Sequence, residues 1–398
     1  MNITVRPGDS LWHYSHLFRV PLQLIVDSNR DANLQVLSVG QRIRIPGYVT
    51  VEVQVNQGET LWLIAQRRNV PIEAILLVNP TLDPNRLRVG QTIRVPLRIT
   101  WRLVNGEQTY SYATMINDLR RLQSVYPFIL NTSIGDSVLG NNIPEIRIGT
   151  GPKRVHYNAS FHANEWITTP VLMTFLNDYL LSLTNQTPIR SLFTLPLYQQ
   201  STLSLVPMVN PDGVTLVQQG PPETEPWRTR VVEMNNGSTD FSGWKANIRG
   251  VDLNDQFPAN WELERERETA RKTPGPRDYG GERPLSEPEA IAMADLTRRR
   301  DFAWVLAFHT QGRVIYWGYL GLEPPVSETM ANEFSRVSGY EPVRSIESYA
   351  GYKDWFIQDW RRPGFTVELG SGTNPLPISQ FGEIYEETLG IFLAGLYL

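Results

Sequence analysis

Val155-His156-Tyr157-Asn158-Ala159-Ser160-Phe161-His162-Ala163-Asn164-Glu165 is the stretch on which the fold of this 398-residue chain turns. Its first five residues form a strand-like run. The segment Ile167 to Leu183 then places Val171, Leu172, Phe175, Leu176, Tyr179 and Leu183 near helical spacing. The alternation continues downstream. Leu203-Ser204-Leu205-Val206 reads as a strand before a turn at Asn210-Pro211-Asp212-Gly213. Glu287 to Arg300 reads as a helix capped by Ser286, with Pro288 in its first turn. Ala303 to Phe308 and Phe365-Thr366-Val367-Glu368 read as buried strands. Upstream, Tyr112 to Tyr126 is helix-like and Pro127 ends it. Strands alternating with helices predict an α/β fold, a sheet with helices on both faces. The charged, Pro- and Gly-rich stretch from Glu262 to Glu282 reads as a long surface loop.

The chemistry is narrowed by what is scarce. There is no cysteine, so a metal must sit on His, Asp or Glu, and the histidines are five: His13, His16, His156, His162 and His309. His162 and Glu165, three apart, can reach one ion from one helical turn. A surface histidine beside a Glu that favours a helix N-terminus gives the same pattern, so the pair needs a third partner. His309 supplies one. It ends an apolar strand, and sheet-based enzymes place ligands at the carboxyl ends of strands. Two His and one Glu are a known catalytic zinc set that leaves a position for water.

The N-terminal quarter is a repeat with a constant offset of 50 residues. Val5, Gly8, Leu11, Trp12, Val20, Pro21, Asn29, Gly40, Gln41, Ile43, Arg44 and Pro46 recur as Val55, Gly58, Leu61, Trp62, Val70, Pro71, Asn79, Gly90, Gln91, Ile93, Arg94 and Pro96. Each unit reads strand, helix, helix, strand. Asp9 or Ser10 can cap the first helix, and Pro21 suits the first turn of the second. His13 and His16 have Leu63 and Gln66 as counterparts, which argues against a metal role, and both are expected at the surface.

The repeats resemble LysM domains. The likeness rests on the Gly-Asp/Glu-Ser/Thr-Leu-Trp opening, the central Val-Pro, the Asn, and the Val-Gly-Gln-x-Ile-Arg-Ile/Val-Pro ending. It implies two small βααβ domains, residues 2–47 and 51–97, that bind N-acetylglucosamine-containing glycans. Two linked sites raise avidity for a polymer.

Residues 108–398 resemble the M14 zinc carboxypeptidases. The motifs are His162-x-x-Glu165, Asn210-Pro211-Asp212-Gly213, Gly250-Val251-Asp252-Leu253-Asn254, Phe308-His309-Thr310 and Phe365-Thr366-Val367-Glu368, in that order. The resemblance implies a mixed sheet flanked by helices and one Zn2+ per chain on His162, Glu165 and His309. It makes Glu368 the catalytic carboxylate. A cation for the oxyanion is expected at Lys245, where the family has Arg, with Arg249 as the alternative and a candidate substrate contact. A catalytic Tyr on a loop matches Tyr349.

One departure points to the substrate. The family's Asn-Arg pair, which grips a terminal carboxylate, is Asn254-Asp255 here. A carboxylate there repels a carboxylate and attracts an ammonium. The arrangement resembles the branch containing γ-D-glutamyl-L-diamino acid endopeptidases, which cut between D-glutamate and meso-diaminopimelate or lysine in cell-wall stem peptides. Asp255 is expected to pair with the extra amino group. A general metallocarboxypeptidase and a non-catalytic wall-binding protein are the alternatives; Asp255 speaks against the first, and the full set His162, Glu165, His309 and Glu368 against the second.

The net charge of −4 shows no basic surplus for nucleic acid. No apolar run approaches the ~20 residues that span a bilayer. The opening Met1 to Pro7 lacks an apolar signal core, so the expected location is the bacterial cytoplasm, as in a sporulating cell, or the wall.

Overall fold

A computed structural model describes residues 1–34, 36–344 and 347–398. Contacts divide the chain into two compact units. One comprises residues 1–103, 118–130 and 177–195; the other comprises 104–117, 131–176 and 196–398.

The first unit holds both repeats. Repeat one is β1 (Asn2–Thr4), α1 (Leu11–Phe18), α2 (Leu22–Ser28) and β2 (Arg42–Arg44); repeat two is β3 (Tyr48–Gln54), α3 (Leu61–Arg68), α4 (Ile72–Val78) and β4 (Thr92–Arg98). Each strand pair is antiparallel. The repeated residues act alike. Ser10 and Thr60 accept the backbone N–H groups of His13 and Leu63, capping α1 and α3. Asn29 donates to the carbonyls of Ile25 and Arg44 and accepts the Arg44 N–H, sewing the second helix to the closing strand. Asn79 does the same with Ile75 and Arg94. Pro21 and Pro71 stand at the N-cap, one residue ahead of the expected first turn. His16 is exposed. His13 is half-buried, its Nε2 3.0 Å from Glu73 of the second repeat.

The rest of the chain adds β5 (Leu130–Asp136), β6 (Asn142–Gly149), β7 (Lys153–Ala159), β8 (Ser201–Val206), β9 (Trp304–Thr310), β10 (Val314–Tyr316), β11 (Glu341–Val343) and β12 (Gly364–Leu369). The helices are α5 (Tyr112–Val125), α6 (Thr168–Asn185), α7 (Thr194–Gln200), α8 (Pro211–Gln219), α9 (Trp227–Met234), α10 (Trp261–Glu266), α11 (Pro288–Arg300), α12 (Val326–Ser338), α13 (Tyr352–Trp360) and α14 (Phe381–Tyr397). The eight strands form one sheet in the order β11-β10-β12-β9-β7-β8-β6-β5. Its centre, β12-β9-β7-β8, is parallel, and β6 and β10 run antiparallel to β8 and β12. The sheet is therefore mixed.

Both faces of the central strands are apolar, as parallel strands require. Tyr157 and Phe308 meet Phe175 of α6 and Phe392 of α14 on one face. Val305 and Ala307, of opposite parity, join Met293 and Leu296 of α11 and Tyr352 and Trp355 of α13 on the other.

Three local expectations change. Asn210-Pro211-Asp212-Gly213 opens α8, with Asn210 as its N-cap. Glu287, not Ser286, stands at the N-cap of α11, and Ser286 bonds Gln256. The charged stretch from Glu262 begins inside α10, and its later residues are tied down by backbone bonds: Lys245 N–H to the Pro276 carbonyl at 2.7 Å and Asp252 N–H to that of Tyr279 at 2.8 Å.

Candidate active site

The site is assembled by strand ends and the turns that follow them. After β7 the chain makes a 3-10 turn, Ala163–Glu165, preceded by His162. This turn is held from two sides. The Ala163 N–H bonds the Lys245 carbonyl at 2.9 Å. Asn210 Nδ2 donates to the carbonyls of Phe161 (3.2 Å) and Ala246 (3.1 Å) while its Oδ1 caps α8 through the Gly213 N–H. A Cβ on Gly213 would lie 2.7 Å from the Ala246 carbonyl oxygen, so only glycine fits. The Asn-Pro-Asp-Gly motif is thus a buried clamp on the His162 turn.

His162, Glu165 and His309 converge. His162 Nδ1 lies 2.9 Å from Glu165 Oε1, His309 Nδ1 lies 3.0 Å from Glu165 Oε2, and the two Nδ1 atoms are 3.1 Å apart. All three side chains are buried. Two imidazole nitrogens at this distance compete for one carboxylate, which is poor hydrogen bonding but suits a cation between them. The edges of a tetrahedron with bonds of about 2.0 Å are about 3.3 Å, close to the spacings found. This donor set, two nitrogens and a carboxylate, fits zinc. Among the described residues a second group, Asp9, His13 and Glu73 of the repeats, also has suitable atoms near one another; there Arg6 already pairs with both carboxylates.

The surroundings are tuned by charge. Burial disfavours the His162 imidazolium, yet the adjacent Glu165 and Asp252 carboxylates override this and hold its pKa up at about 9. The cluster thus attracts positive charge. Asp252 is fully buried and spans two partners: Oδ1 is 3.2 Å from His162 Nε2 and Oδ2 is 3.3 Å from Lys245 Nζ. Despite its burial, Lys245 and His162 hold its carboxyl well below the ordinary range. Burial works against the Lys245 charge, but Asp252, then Asp255, raise its pKa. Glu368 stands across from His309 in the β12–β9 register. Burial, and then the Glu165 charge, push it up to about 8.

His162, Lys245, His309 and Glu368 line a cavity of about 470 Å³ that also takes in Asn254, Asp255, Glu264, Arg267, Tyr316, Lys353 and Thr366. Asn254 Oδ1 accepts the Tyr352 N–H at 3.1 Å, docking the Leu253–Asp255 turn against the start of α13. Burial, then Asp252, raise the Asp255 carboxyl well above its ordinary range.

Two expected residues lie elsewhere. Arg249 is outside the cavity, largely exposed, with Nη1 3.5 Å from Glu287 Oε2. The backbone turns between Lys245 and Arg249, held by Asn247 Oδ1 on the Arg249 and Val251 N–H groups, so only Lys245 faces His162. Tyr349 is not in the cavity wall; its ring packs on the core around Phe257 and Trp355, and Glu264 accepts its N–H at 2.8 Å. Its neighbours Ser348 and Gly351 do line the cavity. Sequence reading missed that Asp252, Tyr316 and Lys353 gather at this site. Asp252 sat in a quoted motif, and its acidity between apolar Val251 and Leu253 was the available signal. Tyr316 and Lys353 carried none, because their placement depends on strand pairing and helix docking.

Comparison with known proteins agrees with this geometry. The zinc carboxypeptidase family matches residues 115–390, and the LysM domain matches residues 3–46 and 53–96. The chain belongs to the zinc carboxypeptidase family: it is a metallopeptidase with two LysM domains ahead of its catalytic domain. A protein of Lysinibacillus sphaericus called gamma-D-glutamyl-L-diamino acid endopeptidase 1 is 73% identical over 398 residues, covering 100% of both chains. The uncharacterized protein YqgT of Bacillus subtilis is 44% identical over 305 residues, 76% of this chain and 81% of its own. In fold, bovine thrombin-activatable fibrinolysis inhibitor, solved with a tick carboxypeptidase inhibitor, aligns with a TM-score of 0.58 at 20% identity, covering 73% of this chain and 97% of that one.

Proposed function

We propose that this chain is a zinc-dependent peptidoglycan peptidase that hydrolyses the γ-D-glutamyl–diamino acid bond of stem peptides, with domains at residues 2–47, 51–97 and 108–398. One observation carries the chemistry: two imidazoles and a carboxylate meet at one point, with a second carboxylate, Glu368, in register beside His309. The full-length likeness to an enzyme named for that bond supports the substrate.

His162, Glu165 and His309 would hold the zinc. When bound, the ion lowers the pKa of a coordinated water towards neutrality and polarises the scissile carbonyl. Glu368 takes the proton of the attacking water and delivers it to the leaving amine. A cation near Glu165 opposes the charge that raises Glu368, which brings the carboxylate into use near neutral pH. Lys245 offsets negative charge on the tetrahedral intermediate, as a point charge rather than a fork. Asp252 orients His162 and Lys245 together. Asn254 and Asp255 face the leaving residue, where the ammonium of the diamino acid, an opposite charge, draws the raised Asp255 carboxyl back to its ionised form and pairs with it. The LysM repeats hold N-acetylglucosamine-containing glycan, keeping the enzyme on its polymer in the wall, in a sporulating cell or on wall fragments.

Mass spectrometry of stem peptides digested with zinc or with EDTA tests this. Release of the diamino acid-containing fragment, abolished by EDTA, is expected. Release of single ordinary C-terminal residues would make the protein a general carboxypeptidase. Glycan binding without turnover would make it a wall-binding protein.

A further inference from the structure

We propose that the paired repeats carry a second binding site, apart from their glycan-binding role: an arginine-lined cavity at the seam between them that takes a phosphate of a phosphodiester-linked polyol chain.

The cavity, about 410 Å³, lies wholly within the first unit, where the end of α1, the turn between α3 and α4, and the end of β4 meet. That volume falls in the range of small-ligand sites. Its wall carries Arg19, Arg68 and Arg98 beside Tyr48, Gln66 and Asn69, and among the described residues no Asp or Glu lines it. The chain as a whole has a net charge of −4, so this cluster runs against the composition. The repeat does not account for it either. At the offset of 50, Arg19, Arg68 and Arg98 correspond to Asn69, Phe18 and Tyr48. Those counterparts line the same cavity, so equivalent faces of the two repeats meet there, and the arginines are added to one side of each pair. The Gly-Asp/Glu-Ser/Thr-Leu-Trp openings lie at the other ends of α1 and α3, about 12 Å away along helices of eight residues.

The local fold does not use up these charges. Cations near helix C-termini often serve the last carbonyls. Here the backbone does so: the Arg19 and Val20 N–H groups bond the carbonyls of His16 and Ser15, and those of Asn69 and Val70 bond Gln66 and Ala65. Arg98 Nη2 donates to the carbonyls of Phe18 at 3.0 Å and Arg19 at 2.6 Å, and its guanidinium lies 5.3 Å from the centre of the Tyr48 ring. Arg98 is thus fixed at the wall, with Nε and Nη1 unpartnered among the described residues. Burial raises the pKa of the Tyr48 hydroxyl, and the Arg98 and Arg19 charges oppose the rise, so both reach the same ring. Arg19 and Arg68 are exposed, and their side chains have no ion pair among the described residues.

Three guanidiniums around one cavity repel one another until an anion enters. Phosphate suits them best. Its oxygens point in several directions and accept donors from separate chain segments, whereas a carboxylate offers one planar edge that a single Arg can fill. The amides of Gln66 and Asn69 can donate to and accept from the hydroxyls flanking such a phosphate. Arg19 and Arg68, exposed at the mouth, leave room for a chain that continues past the cavity.

Isothermal titration calorimetry on the full-length protein at low salt tests this with three probes: poly(glycerol phosphate), poly-γ-glutamate of equal charge, and inorganic phosphate. The phosphodiester polymer is expected to bind at least tenfold more tightly than either of the others, and more weakly as salt is added. Arg19→Gln with Arg68→Gln should weaken it by about ten- to a hundredfold, the range for lost charged hydrogen bonds. Arg42→Gln with Arg88→Gln removes the same charge from exposed positions outside the cavity and should change affinity less than twofold. Equal losses in the two double variants would reduce the effect to net charge and overturn the site. Equal binding of poly-γ-glutamate would overturn the choice of phosphate, and equal binding of inorganic phosphate would overturn the choice of a polymer. These probe comparisons use the unaltered protein, so a misfolded variant does not blunt them. No hydrolysis is read, so every outcome leaves the peptidase reading where it stands.

Discussion

Glu368 lies directly across from His309 on adjacent parallel strands, in the register that also pairs Val367 with Phe308 and Leu369 with Thr310. Strand alternation sends both side chains to the same face. The proposed base and the proposed metal ligand are thus positioned by the ladder hydrogen bonds of the sheet's centre, not by a loop, and so neither depends on substrate to reach its place.

From this, Glu368→Gln should remove the proton acceptor while leaving fold and metal intact. A loss of about 10²–10⁴ in kcat is expected, the usual span for general-base removal. Metal content by atomic absorption should stay at one per chain. Unchanged turnover would refute the role given to Glu368.

His162→Ala and His309→Ala should each lower zinc content together with activity. A zinc ion held by His162, Glu165 and His309 would favour the folded chain, so adding it to EDTA-stripped protein should raise Tm in a concentration-dependent way. Both variants should lose most of that shift. A full zinc-induced shift in the double variant would place the ion elsewhere.

Asp252→Asn keeps the shape but removes the charge shared by His162 and Lys245. Partners of this kind are worth about 10–100-fold in metal affinity or activity. Weaker zinc retention in a chelator titration is expected along with reduced kcat. If only kcat falls, Asp252 acts through Lys245 alone.

His156 predicts an acid-sensitive fold. It is buried, stacked on Phe302 at 4.7 Å, with Nδ1 3.1 Å from Ser204 Oγ. Burial lowers its pKa from 6.5 to about 3. The folded value lies below the unfolded one, so between them the unfolded chain binds more protons. This contribution to stability is complete above about pH 6.5 and drains away as pH falls towards 3. About 3 kcal/mol should go between pH 6.5 and pH 4. Urea midpoints of His156→Gln across that window should show a shallower slope; an identical slope would assign acid sensitivity to other groups.

Asn29→Ala should separate the two halves of the protein's work. It removes three hydrogen bonds from the buried seam of the first repeat, costing about 2–4 kcal/mol locally. Retention on insoluble peptidoglycan should weaken at elevated temperature, while hydrolysis of a small soluble stem peptide holds. A parallel loss of both would mean that the repeats contribute to the catalytic step.

Much of this was legible in the residues. The repeats announced themselves because a 50-residue offset needs no gaps, and their caps and Asn stitches recur as local hydrogen bonds. His162, Glu165, His309 and Glu368 were legible because each sits in a short pattern at a strand end. What escaped depended on distant parts of the chain. Which of Lys245 and Arg249 faces His162 is decided by a turn built on Asn247 Oδ1, four residues of backbone that periodicity cannot resolve. Tyr349 was matched through a loop whose course no motif constrains. Asn-Pro-Asp-Gly favours a turn and a helix start alike, and the cap on Gly213 chose the helix.

The charged segment after α10 has one more consequence. Its tip, around Lys272, is exposed and rich in basic residues, while its far side supplies the carbonyls of Pro276 and Tyr279 on which Lys245 and Asp252 hang. A trypsin-like protease would find that tip before any other part of the catalytic domain had to open. Digestion by such a protease should therefore begin in this segment, and a single Pro or acidic residue placed beside Lys272 should slow cleavage there without altering the melting point.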